Sequence, residues 1–248
     1  MSPETFGAPL SSWQTGDVSP AAAKSRAQQR VAQSAAIKEV ARRLIADKGV
    51  TNLSLREVSR ELGMVSSALY RYFATRDELL TALIYDAYNE LGAAVERAEA
   101  RVARGDTRGR WRAACLGVRR WARANPHEYS LLYGTPVPGY VAPSVTVVAA
   151  TRVTTVLARI LSDDAAQRRA RPSRAPTRDV RDFLQVDALA PTMPGVEPAQ
   201  YVRALIAWTT VFGAVSFELF GHYVGTVTNY SRMFDAVVDE LADLVGLA

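Results

Sequence analysis

Apolar residues recur at helical spacing along most of the chain, most densely between residues 53 and 84. Leu55, Val58 and Leu62 fall on one face of a short helix, Ala68, Leu69 and Phe73 on a second, and Leu79, Leu80, Leu83 and Ile84 open the stripe of a third. The punctuation agrees with the period. Ser54 stands where an N-cap is needed and Glu57 follows three residues later, a capping box, while Leu53 and Val58 form a hydrophobic staple. Gly63 occupies the left-handed C-cap position, and Thr75 with Glu78 makes a second box. The stretch from Leu53 to Leu80 therefore predicts a helix-turn-helix with a third helix starting behind it.

The rest of the chain continues the helical pattern. Ala21 to Lys48 predicts a helix with Ile37, Val40, Ala41, Leu44 and Ile45 on its inner side. The helix from Thr75 runs past Tyr85, Tyr88 and Leu91 toward Arg104 and ends at Gly105. Another spans Gly109 to Asn125 and stops before Pro126, because a residue preceding proline disfavours the helical region. His127 to Gly134 predicts a short helix, and the three prolines and glycine of residues 135–143 predict a loop. Residues 144–162 are rich in Val and Thr, a strand-like composition, but their length and alanine-rich continuation favour a helix. Phe183, Leu184, Val186 and Leu189 suggest a short helix packing back.

The last two helices, about Pro198 to Val224 and Asn229 to Leu247, are apolar around much of their circumference. Leu205, Ile206, Trp208, Val211, Phe212, Val215, Phe217, Leu219 and Phe220 exceed what one buried face requires, which predicts an interface; two such helices and their symmetry mates make a four-helix dimer contact. The expected fold class is all-α, in three parts. Residues 1–20 form a disordered arm, 21–75 a helix-turn-helix domain, and 76–248 a larger helical domain with a flexible Arg/Pro-rich loop at about 168–182.

Composition narrows the classes. At 248 residues, 48 % hydrophobic and 22 % charged, the chain has ordinary globular content and one or two domains. Its net charge of +5 permits an anionic partner, and residues 20–80 hold eleven Lys or Arg against six Asp or Glu, an excess equal to that of the whole chain. Lys24, Arg26 and Arg30, at the start of the first helix, are within reach of phosphates. A single cysteine, Cys115, excludes an internal disulfide and a multi-cysteine zinc site, and no cofactor motif is present. No run of about 18 apolar residues and no export signal is found, so a cytoplasmic protein without membrane contact is expected.

The exposed residue types of the second short helix carry the functional reading. Ser66 and Ser67 at its start fit closely against base edges. Tyr70 and Tyr72 can bind phosphate, and Arg71 can do either. With Gly49, Leu62-Gly63, Leu69-Tyr70-Arg71-Tyr72-Phe73 and Arg76, the stretch from about residue 25 to 85 resembles the N-terminal domain of TetR-family transcriptional regulators. Tyr72 departs from the family, where histidine is common. The resemblance implies DNA contacts by Ser54, Arg56, Val65, Ser66, Ser67, Tyr70, Arg71, Tyr72 and Arg76, with Arg56, Ser66, Ser67 and Arg71 nearest the bases and Tyr70, Tyr72 and Arg76 on phosphates.

Farther on, Trp208-Thr-Thr-Val-Phe212-Gly213, with Pro126-His-Glu-Tyr129, Tyr133-Gly134 and Pro136-Val-Pro138, resembles an effector and dimerisation domain of actinobacterial TetR-family proteins. Histidine is frequent there where Phe212 stands. The resemblance implies a homodimeric repressor on a palindromic operator and a pocket between the mid-chain helices whose occupancy moves the connecting helix. Trp111, Trp121, Tyr129, Tyr133, Tyr140, Trp208 and Phe212 are the candidate lining, suited to a small apolar or aromatic molecule. The two histidines, His127 and His222, sit in no recognisable catalytic motif, so no enzyme is expected. A helical protein-interaction adaptor is the alternative, and it leaves the basic helix-turn-helix unexplained.

Overall fold

A computed structural model describes residues 20–167 and 180–247, with the side chains of 20–24 and 26 outside that set. The expected arm, apart from its last residue, the side chains of Lys24 and Arg26, and the Arg/Pro-rich loop through residue 179 thus lie outside the described residues. Every regular element among the described residues is helical, as expected.

Four helices, α1 (Pro20–Lys48), α2 (Leu55–Glu61), α3 (Ser66–Leu69) and the start of α4 (Arg76–Glu99), close around a small core of Ile37, Ala41, Val58, Leu69, Leu79 and Leu83. A larger core, with Leu91, Val95, Trp111, Tyr129, Ile160, Val215 and Phe234 at its centre, is shared by the rest of α4 and by α5 (Thr107–Ala124), α6 (Pro126–Tyr133), α8 (Arg152–Gln167), α9 (Val186–Leu189), α10 (Pro198–Leu219) and α11 (Tyr230–Leu244), while the short α7 (Val147–Ala150) lies against α4 outside that core. The 24-residue α4, roughly 36 Å long, contributes to both cores. It is the rod that joins them.

Several boundaries differ from expectation for local reasons. α4 stops at Glu99, short of Gly105, where Val102 N–H turns back to Glu99 O and the Asp106 side chain accepts from Gly109 N–H to start α5. The Val/Thr-rich segment is helical but bent by 44° at Thr151. There the Thr151 hydroxyl donates to the carbonyls of Val147 and Val148, and those of Thr154 and Thr155 donate to Thr151 O, competing with the backbone ladder. α10 ends at Leu219 because Gly221 takes the left-handed conformation at φ +79°. α11 turns its apolar face inward through Phe234, Val238 and Leu241, so the apolar surplus expected of both last helices is confined to α10. By length and composition α10 could cross a membrane, yet Val211, Ala214 and Val215 pack in the core. What it leaves uncovered is one outer face, with Leu205, Ile206, Phe217 and Phe220 exposed.

Helices α4 and α8 meet closely because position 92 is glycine. A Cβ there would lie 2.7 Å from Arg152 Cβ, which is fixed to the α8 backbone. Gly92→Ala is expected to force the two helices apart and to cost about 1–3 kcal/mol, read as a lowered urea midpoint; an unchanged midpoint would mean that α8 shifts without resistance.

Candidate nucleic-acid interface and effector cavity

The helix-turn-helix is built from its turn outward. Gly63, at φ +63°, donates to Arg60 O at 3.1 Å while Met64 N–H reaches Ser59 O at 2.9 Å, so the turn is short and closed. The buried Ser59 hydroxyl donates to Arg56 O and lies 3.1 Å from the Ser66 hydroxyl, tying α2 to the first residue of α3. Leu69 and Phe73 sink into the small core and orient α3, with Tyr72 half-buried beside them. The opposite side of α3 then emerges: Val65 is 71 % and Tyr70 44 % exposed, and Ser66, Ser67 and Arg71 stand in the open with Arg56 of α2. Neither the Arg56 nor the Arg71 guanidinium engages any group among the described residues. Their charge is available.

The two capping boxes expected in this region are corrected. Ser54 precedes α2 but makes no capping bond, and Glu57 does not reach back to it; the Glu57 carboxylate pairs with Lys48 and Arg60 instead. A charge-assisted bond outcompetes a neutral backbone donor, and the Lys48 ammonium holds Glu57 below the usual carboxylate range. At α4 the Thr75 side chain does accept from Glu78 N–H, but Glu78 returns to Ala74 N–H, one residue before the cap. Arg76, for which a phosphate contact is expected, also has internal partners: Nε donates to Leu53 O at 3.0 Å and Nη2 to Val50 O at 2.9 Å, so it holds the α1–α2 connection in place.

A second feature is a cavity of about 380 Å³ between α5, α8, α9 and α10. Trp111 and Trp208, both expected to line a pocket, do so, joined by Leu157, Met193, Tyr201 and Ala204. Sequence reading had no signal for the latter four, which share no motif, and of which only Tyr201 and Ala204 are neighbours in the chain. Tyr129, Tyr133 and Phe212 form an aromatic stack beside Trp208, with centroid separations of 5.1 Å (Tyr129–Tyr133), 4.5 Å (Tyr133–Phe212) and 6.2 Å (Trp208–Phe212). The Tyr129 hydroxyl donates to Phe212 O at 2.9 Å, and burial pushes its pKa up to about 12. Trp121 faces a separate open depression with Arg97 and Arg152, and the Tyr140 hydroxyl meets that of Thr81 at 3.0 Å. Cys115 is buried, and burial raises its thiol pKa, in keeping with a small packing residue. His127 and His222 are exposed and make no side-chain hydrogen bond or ion pair among the described residues.

Hydrogen bonds tie the helix that walls the cavity to α4, which also contributes to the core of the helix-turn-helix. Arg152, at the start of α8, donates to Glu96 at 2.9 and 2.6 Å and to Asn89 O and Oδ1 at 2.9 and 2.8 Å, and it holds the Glu96 carboxyl below its ordinary range. At the far end of α4, Glu99 accepts from Arg110 at 2.6 Å and from Arg159 at 2.9 Å, while Arg110 also reaches Asp163 of α8 at 2.7 Å. The helix whose one face walls the cavity is therefore clamped to α4 at both ends.

Comparison with known proteins agrees with this geometry. Residues 37–83 match the model of the tetR family of bacterial regulatory proteins, and residues 111–241 match that of the tetracyclin repressor-like C-terminal domain. The chain is 40 % identical over 214 residues to the HTH-type transcriptional regulator Rv1816 of Mycobacterium tuberculosis, covering 82 % of this chain and 87 % of that one. The crystal structure of the protein SCO4313 superposes with a TM-score of 0.72 at 32 % identity, covering 88 % of this chain and 98 % of that one. The TetR-family regulator PfmR of Thermus thermophilus shares the fold at a TM-score of 0.55 and 20 % identity, covering 86 % and 98 %. An exposed recognition helix on a basic three-helix unit, carried by α4 on a larger helical body, is thus accounted for: the chain belongs to the TetR family of DNA-binding transcriptional regulators.

Proposed function

We propose that this regulator is a homodimeric repressor, cytoplasmic like the chromosome it acts on, which leaves a two-fold operator when a small, largely apolar molecule enters the 380 Å³ cavity. The observation that carries the DNA half is the outer side of α3, where Ser66, Ser67, Tyr70 and Arg71 are exposed next to the unpaired guanidinium of Arg56. In this reading Arg56, Arg71 and the two serines approach base edges, Ser54, Val65, Tyr70 and Tyr72 flank them along the groove and backbone, and Arg76 positions the domain from within. Residues 21–75 in this reading serve DNA and 76–248 effector and dimer, with the start of α4, through Leu79 and Leu83, completing the small core of the first part.

The effector half rests on the cavity and the clamps. A ligand wedged between α8 and α10 displaces α8, and Arg152 and the Glu99 cluster pass that displacement to α4, which turns the recognition helices away from their half-sites. Dimerisation rests on the outer face of α10 and on the short reach of a single α3, since a two-fold pair of such helices reads a palindrome.

The test is fluorescence-anisotropy binding to the DNA upstream of the protein's own gene against scrambled DNA at several salt concentrations. A preference of about 10³ or more with a steep salt slope is expected. Arg71→Ala should lose about 1–3 kcal/mol on the operator and little on scrambled DNA; equal losses on both would remove Arg71 from base reading.

A further inference from the structure

Within the cavity, the lining residues differ in what they leave unsatisfied. The hydroxyl protons of Thr154 and Thr155 go to the Thr151 carbonyl at 2.8 Å, and that of Thr192 goes to Leu189 O at 2.7 Å. The Trp111 indole N–H goes to Val238 O at 3.2 Å, so the ring meets the cavity with its donor already engaged. Two donors of the lining are left over, the indole N–H of Trp208 and the hydroxyl of Tyr201, and Tyr201 is the more enclosed of the two residues. It lines the cavity at 2 % exposure, and its hydroxyl has no partner among the described residues. A hydroxyl that opens only onto the cavity donates to whatever the cavity holds, and a bound acceptor can take its proton in place of water.

The position of this residue is also held rather than incidental. Tyr201 lies in the first turn of α10, whose start is set by Pro198 and by the reciprocal capping of Glu197 and Gln200, with Glu197 N–H bonded to Gln200 Oε1 at 3.3 Å. Met193 and Val196, both buried, flank the approach to that turn. No Lys, Arg, His, Asp or Glu stands among the described lining residues, so an ion entering the cavity would have no counter-charge and would bear a large desolvation cost. The volume is that of about a dozen water molecules, within the range of small-molecule sites.

The geometry points to Tyr201 as the polar anchor of the effector site, and to the effector as a neutral, mostly apolar molecule bearing one hydrogen-bond acceptor, such as a ketone, ester or ether, to which the Tyr201 hydroxyl donates. This rests on the proposal that the cavity is the effector site, and the experiment separates the two. The fluorescent neutral probe N-phenyl-1-naphthylamine is bound to the full-length protein and displaced by two molecules of matched shape, 2-acetylnaphthalene with a carbonyl and 2-isopropenylnaphthalene without one. In the wild type the ketone should displace the probe about tenfold more effectively than the alkene, the order expected of one buried neutral hydrogen bond. In Tyr201→Phe that advantage should vanish while the alkene is unaffected, and in Ala204→Trp, which fills the cavity, probe binding should be lost.

Equal displacement by ketone and alkene in both wild type and Tyr201→Phe, with Ala204→Trp still blocking the probe, overturns the anchor and leaves the cavity as effector site. Failure of the wild type to bind the probe, or undiminished binding by Ala204→Trp, overturns both.

Discussion

Gly213→Glu is expected to convert the dimer to a monomer and to lower operator affinity by about 10²-fold or more, because each recognition helix then binds without the effective concentration supplied by its partner. The residue stands in the middle of α10, where glycine costs roughly 0.5–1 kcal/mol relative to alanine. Nothing in the protomer requires it: a Cβ at 213 meets no atom within 4 Å. Along the same side of the helix, at helical spacing, lie Ile206 and Thr210 before it and Phe217 and Phe220 after it, and Ile206, Phe217 and Phe220 are 44–50 % exposed. A notch amid exposed apolar side chains lets the backbone of a second α10 approach closely. A charged side chain there is silent within one protomer and intolerable between two. Sedimentation velocity and anisotropy on one operator measure both effects, and an intact dimer with undiminished affinity would put the two-fold contact on another surface.

Glu218→Ala is expected to destabilise the fold by about 3–5 kcal/mol, which for a chain of this size is roughly 6–20 °C in Tm. Arg119 of α5 and Glu218 form a bidentate pair at 2.6 and 2.9 Å, with side-chain exposures of 10 % and 9 %. The guanidinium also reaches Ser231 Oγ at 3.2 Å on α11 and sits 5.5 Å over the Phe234 ring. One arginine thus locks three helices, and removing the carboxylate leaves a nearly buried cation with a hydroxyl and an aromatic face as its remaining partners. The expected cost comes from that orphaned charge rather than from the worth of the pair. Replacing both residues, Arg119→Met with Glu218→Leu, should accordingly recover most of the loss. If the double variant is as unstable as the single one, the pair itself is what stabilises α10. Because α10 carries the proposed dimer face, Glu218→Ala should also weaken the dimer near its melting range.

The legibility of this protein from its sequence followed the range of the interactions involved. Gly63 as a left-handed cap, Leu69 and Phe73 as anchors of the recognition helix, and the exposure of Ser66, Ser67, Tyr70 and Arg71 depend on residues a few positions apart, and each was readable. The capping role given to Glu57 failed because Lys48, nine residues back, offered a full charge, and Arg76 has partners in carbonyls 23 and 26 residues away. Spacing within a helix carries no record of such partners.

What the sequence by itself determined was the class of the fold, the helix-turn-helix and the face it presents, since helix period, caps and turn glycines are local properties of the backbone. The tertiary structure alone decided where the cavity lies, that Trp111 and Trp208 meet there with Tyr201, and that Arg152 crosses Gly92 to bind α4. Those features are properties of how helices distant in the chain cross, and a crossing is set by the packing of whole faces against one another.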